Sequence, residues 1–179
     1  RLVRGRVAPR SMSTPSAGSS APIACNRDGS SSNIFVLDLQ TRGVTQLTRE
    51  LDATRPAWSP DGRTVAFARA LAREDHPFDS LPGFADTALR EVRTIPASGG
   101  AVTTVAPPRS VETVFYLPDG RLAWSRREMA PGGGMFQTVA ESRIEARAAD
   151  GVVTVVGTAA GEIGRVAPTN ATVLVRGES

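Results

Sequence analysis

The 179-residue chain is 40% hydrophobic and 5% aromatic, and its 21 basic residues, all Arg, give a formal net charge of +3. That size and hydrophobicity suit one domain with a real core and exclude a wholly disordered chain. The arginines are scattered without interleaved stacking aromatics, which argues against nucleic-acid binding, and no run approaches the ~18 apolar residues that would imply membrane insertion.

Residues 8–22 are rich in Ser, Ala and Pro and show neither hydrophobic period, so residues 1–22 read as a flexible N-terminal arm or linker. From Ile23 onward, short β-like runs alternate with Gly, Asp, Asn and Pro punctuation, and residues 23–179 read as one repeat array. Residues 33–39 and 44–48 predict a hairpin turning at Thr41-Arg42-Gly43. Residues 54–59 and 64–69 predict a second, closed by Asp61-Gly62, because Gly tolerates positive φ and Asp accepts turn hydrogen bonds. In the return strand Val65 and Phe67 share one face, while Ala66 and Ala68 share the other. Two apolar faces predict a strand sandwiched between neighbouring sheets. Further hairpins are predicted at 91–96 with 101–105, and at 144–147 with 152–156 across Asp150-Gly151.

The segment Pro56-Ala57-Trp58-Ser59-Pro60-Asp61-Gly62 has a second copy in Leu117-Pro118-Asp119-Gly120-Arg121-Leu122-Ala123-Trp124 and a degenerate third at Ala167-Pro168. The anchors Pro60, Pro118 and Pro168 stand 58 and 50 residues apart, a blade-like period lengthened by loop insertion. The predicted class is an all-β propeller of four-stranded antiparallel blades. Strand types in order begin near the second strand of one blade, cross two complete blades and stop after the second strand of another. About three blades do not close a ring, so further blades in a longer polypeptide, or self-association with a second copy, are expected to cover the bare faces.

With these residues in view, the repeat resembles that of the TolB family, a WD-like β-propeller repeat also found in propellers of prolyl-oligopeptidase-type proteins. The likeness rests on Asn26-Arg27-Asp28-Gly29, on residues 33–38, on Gln46-Leu47-Thr48 and on residues 56–62, with Ile95-Pro96-Ala97-Ser98-Gly99-Gly100 and residues 117–120 as the second copy. What the resemblance implies is a scaffold that binds protein partners or ligands through loops and a central channel, without a reaction or a cofactor. It also implies a periplasmic or otherwise extracytoplasmic setting. In the family that role needs a separate N-terminal domain, which this sequence does not show. The other reading is the gating propeller of a prolyl-oligopeptidase-like serine peptidase whose catalytic domain lies outside this chain. A propeller lyase or hydrolase acting on sugars is a weaker third, since no constellation of catalytic residues is visible. The opening Arg1, without an initiator Met, fits a processed or excised piece.

Trp58, Pro60, Asp61, Gly62, Pro118, Asp119, Gly120 and Trp124 carry the repeat pattern and read as architecture: tryptophans packing between blades, Asp-Gly pairs making turns. Function is expected elsewhere. Residues 70–90 and 128–141 both exceed blade length between second and third strands, and should emerge on one face. The candidate binding residues are Glu74, Asp75, His76, Phe78, Asp79, Phe84 and Asp86 from one insertion, with Met129, Met135 and Phe136 from the other. Tolerated loop length is the competing reading. His76 is the sole histidine and sits among carboxylates, but no accepted metal-ligand spacing is present, so no metal is expected. The lone Cys25 permits no intramolecular disulfide. Neither a Gly-x-Ser-x-Gly elbow nor a His-Glu-x-x-His helix occurs, and no catalytic residue is assigned.

Overall fold

The structure, a computed structural model, describes residues 20–26, 32–49, 52–71, 89–129, 139–160, 162–168 and 173–178, with side chains for 32–49, 52–71, 89–128 and 140–160. Among them every regular element is a strand. Strands β1 (Ser20–Asn26), β2 (Ser32–Asp38) and β3 (Val44–Gln46) form one sheet. A second contains β4 (Ala53–Trp58), β5 (Thr64–Ala70), β6 (Arg90–Pro96) and β7 (Thr103–Arg109). A third contains β8 (Val111–Tyr116), β9 (Leu122–Met129), β10 (Val139–Arg147) and β11 (Val153–Ala160), and β12 (Glu162–Pro168) pairs with β13 (Val173–Glu178).

Strand order follows chain order in each sheet and every pairing is antiparallel. The chain thus holds the last three strands of blade 1, all of blades 2 and 3, and the first two strands of blade 4. The all-β propeller reading, with about three blades, is what the structure has. β1 opens at Ser20, within the stretch read as an arm.

First strands of successive blades meet, β4 against β8 and β8 against β12, so the sheets converge there. Beside this convergence β5 is buried on both faces. Val65 and Phe67 pack with Ile34 of blade 1 and with Ala53 and Ile95; Ala66 and Ala68 pack with Val111, Val114, Leu122 and Trp124 of blade 3. The small face of β5 meets the largest side chain of blade 3, and Trp124 lies fully buried in one cluster with the two alanines. On the far side of blade 3, Phe115, Leu117, Ala123, Ile144 and Ala146 form a third cluster.

The innermost strands share a feature that the sequence pattern did not announce. Each carries one residue more than its partner at one point: between Thr54 and Ala57 in β4, Val111 and Thr113 in β8, and Ile163 and Arg165 in β12. These are β-bulges, which bend a strand and re-aim its side chains. In β4 the bulge is accompanied by a positive φ of 55° at Arg55, just before Pro56. The outermost strands differ from the sequence expectation as well. β7 runs through Pro107 and Pro108 to Arg109, which an edge strand tolerates because the missing N–H groups are not needed by a neighbour.

Removing the large side chain from the doubly packed strand should leave a cavity that neither blade can collapse into. Phe67→Ala is expected to lower unfolding free energy by about 3–5 kcal/mol, measured by urea denaturation followed through tryptophan fluorescence.

Candidate functional site

The two ends of the blades have different chemistry. At one end sit the tight turns. The Asp61 carboxylate accepts from the Ser59 hydroxyl at 2.6 Å and from the Arg63 N–H at 3.0 Å, while the Ser59 hydroxyl oxygen accepts from the Thr64 N–H at 3.0 Å. Asp119 repeats the device: it accepts from the Arg121 N–H at 3.0 Å and from Arg121 Nε at 2.8 Å. Gly62 and Gly120 adopt φ of 68° and 87°, the left-handed region that glycine enters without strain. Both aspartates are held below the usual carboxylate range, Asp61 by the Ser59 hydroxyl first and Asp119 by the Arg121 N–H first. Pro60 and Pro118 are exposed at the turn corners. Ala97 N–H donates to the Arg63 carbonyl at 2.8 Å, which brings the β6–β7 turn of blade 2 to this same end.

The tryptophans lie on inter-blade faces. Trp58 packs with the Ile34–Phe67 cluster between blades 1 and 2, and Trp124 is buried between blades 2 and 3. Trp124 Nε1 donates to Glu145 Oε2 at 2.8 Å, so the indole spans two strands of its own sheet. Across the same junction the Tyr116 hydroxyl is pushed up to about 12, by burial first and then by the negative charge of Asp61 in the preceding blade.

Paired charges line the strands, most of them from the middle toward the opposite end. In blade 2, Glu91 accepts from Arg93 Nε at 2.7 Å and lies 3.7 Å from Arg69. In blade 3, Arg126 reaches Glu145 at 3.1 Å and also pairs with Glu128, which lies 3.5 Å from Arg143; Arg143 Nε donates to Glu141 at 2.7 Å. Arg127 pairs with Glu112, the bulge residue of β8. Between the blades, Arg55 and Arg90 both donate to the Val111 carbonyl, at 3.3 and 3.2 Å. These contacts place the start of β6, the start of β8 and the end of β9 together. Leu71, Leu89, Met129 and Val139, the described residues that bracket 72–88 and 130–138 in sequence, therefore lie toward this end.

Glu74, Asp75, His76, Phe78, Asp79, Phe84, Asp86, Met135 and Phe136 lie outside the described residues; Met129 is the last residue of β9, described by its backbone. The Arg–Glu rim was missed in the sequence. Its signal was there, as opposite charges two apart on single strands: Glu91 with Arg93, Arg126 with Glu128, and Glu141, Arg143 and Glu145 in series. A period of two sets such pairs on one face of a strand. Among the described residues no cluster of three His, Cys, Asp or Glu side chains could hold a metal, and no helix is long and apolar enough to cross a membrane.

No family model and no curated protein matches the sequence. Among solved structures, TolB from Acinetobacter baumannii matches with a TM-score of 0.55 at 17% identity, over 86% of this chain and 37% of that one. The fold is a TolB-type β-propeller. A prolyl endopeptidase structure matches with a TM-score of 0.51 at 11% identity, over 80% of this chain and 21% of that one. The chain spans well under half the length of either. At such identities the likeness of the propeller is one of fold.

Two measurements check the inter-blade chemistry. Tyr116 is the only tyrosine of the chain, so tyrosinate absorbance reads it directly. Its midpoint should fall near pH 12 in the folded propeller and near the ordinary 10 in denaturant. A raised folded pKa stabilises the protonated form, so the contribution is fully present below pH 10 and lost as pH rises from 10 through 12; Tyr116→Phe should flatten that decline. Glu145→Leu should cost about 1–3 kcal/mol by leaving the buried indole N–H without its acceptor. In a double-mutant cycle with Trp124→Phe, the loss should be less than additive.

Proposed function

We propose that the chain is a non-catalytic binding propeller that receives a protein partner at the end of the blades carrying the paired charges. The observation that supports this reading is where the strand ends flanking both long connections lie. The strand ends that bracket residues 72–88 and 130–138 meet at one end, around Arg90, Val111 and Arg126. Extra chain added at one end of a repeat array builds a surface, whereas the opposite end is closed by minimal turns. The binding residues proposed there are Glu74, Asp75, His76, Phe78, Asp79, Phe84, Asp86, Met129, Met135 and Phe136.

The rim beneath gives that surface a fixed floor. Its arginines and glutamates hold each other in place on rigid strands, so a partner would meet oriented charges of both signs at the more open members, Glu128, Glu141 and Arg143. Such an arrangement favours a polar protein surface and gives specificity and orientation more than raw affinity. The fold shared with TolB supports an interaction role in an extracytoplasmic compartment. The fold shared with a prolyl endopeptidase supports a second reading, the gating propeller of a serine peptidase whose hydrolase domain is encoded beyond Ser179. Downstream coding sequence that runs into a Gly-x-Ser-x-Gly segment would select the second reading.

Replacing residues 72–88 and 130–138 by short turns tests the first. The shortened chain is expected to keep its thermal unfolding midpoint within a few degrees and to lose capture of the partner that the intact chain binds, read by pull-down and by titration calorimetry. Retained capture would overturn the assignment of the surface.

A further inference from the structure

The outer edges of the sheets are not alike. β3 has three residues, and β7 is interrupted by Pro107 and Pro108 and ends in Arg109. Shortness, proline and terminal charge are the ordinary means by which an exposed strand is kept from pairing with another chain. β11, the outer edge of blade 3, has neither shortness, proline nor terminal charge, and its one such device is a bulge at Val156. It runs eight residues, Val153–Ala160, and from Gly151 to Gly161 the sequence has neither a charge nor a proline. Its valines are open to solvent: Val153, Val155 and Val156 are 42%, 50% and 43% exposed, and Val152 just before the strand is 54% exposed. Among the described residues β11 pairs with β10 alone, so half of its peptide groups face away from any described strand.

We propose that β11 is a homotypic docking edge, on which a second copy of this chain pairs antiparallel through the same strand. The sequence of the edge is its own complement. A two-fold axis through Thr154 sets Thr154 opposite Thr154 and Val153 opposite Val155, so that β-branched side chains meet in register, with Val152, just before the strand, and the bulge residue Val156 flanking them. Asp150 falls opposite Thr158, and no like charges meet. A bulge of β11 at Val156, in its pairing with β10, interrupts the ladder. The uninterrupted segment therefore centres on Thr154 rather than on the middle of the strand. Isologous pairing of this kind closes on itself and joins two blades into one continuous sheet.

This edge lies at the periphery of the propeller, away from the bare faces that an incomplete ring presents, so the two modes of association separate by experiment. Sedimentation equilibrium over a concentration series is expected to show a dimer. Val153→Lys with Val155→Lys places lysine opposite lysine across the axis, and should raise the dimer dissociation constant about tenfold or more. Both positions are exposed, so far-ultraviolet circular dichroism should be unchanged. Independently, Thr154→Cys in a Cys25→Ser background should form a covalent dimer on mild oxidation, because the two thiols face each other at the axis. A chain that stays monomeric at all concentrations overturns the proposal. So does a lysine variant that keeps the dimer mass, or a dimer that Thr154→Cys fails to cross-link, since either shows association through another surface.

Discussion

Burial of one strand from both sides is the constraint on which the rest of this propeller depends. β5 supplies Val65 and Phe67 to one junction and Ala66 and Ala68 to the other, and all four are closed to solvent. A sheet with two apolar faces has no stable existence alone, so each blade requires the next. Size complementarity then orders the stack: the alanine face leaves room for Trp124 of blade 3, and the bulky face fills the space beside Ile34 of blade 1. A side chain of the wrong volume at either face would alter blade spacing as well as local packing.

That stacking sets the two ends apart. Where Asp61 and Asp119 saturate the backbone donors of tight turns, the chain reverses in the fewest residues and leaves little surface for a partner. At the other end, the bulge of β4 holds Arg55, which with Arg90 reaches across to the Val111 carbonyl of blade 3, and the bulge of β8 holds Glu112, which pairs with Arg127 inside blade 3. Arginine suits this position because its planar, permanently charged fork bridges carbonyls and carboxylates at once. The family-like Gln46-Leu47-Thr48 segment has a comparable local task. The buried Thr48 hydroxyl accepts from the Ile34 N–H at 2.9 Å and donates to Asn33 Oδ1 at 3.2 Å, supporting β2 just past the last pairs of short β3.

The hairpins, the turn residues and the strand order were legible because each is dictated locally, by a period of two, by Asp-Gly chemistry and by the spacing of the Pro-Asp-Gly copies. The start of β10 was not. Residues 139–143, Val-Ala-Glu-Ser-Arg, alternate weakly and carry two charges, so they resemble a loop until Arg143 finds Glu141 and Glu128 on its own sheet. β7 was misjudged for a similar reason, since two prolines argue against a strand unless its outer side is known to be free. Neither bulge nor edge exposure has a reliable sequence signal, because both depend on which partner strand is present.

By itself the sequence determined an all-β repeat, the register of its blades and the two stretches where the chain exceeds the repeat. These follow from side-chain alternation and turn chemistry, which act over a few residues. Only the tertiary structure decided that the strand ends bracketing those stretches meet over a rim of paired Arg and Glu, that Glu145 satisfies the Trp124 indole, and that the valine-rich strand β11 is left as an open edge. Those facts depend on contacts between residues tens of positions apart, and the stacking of one blade on the next is what brings them together.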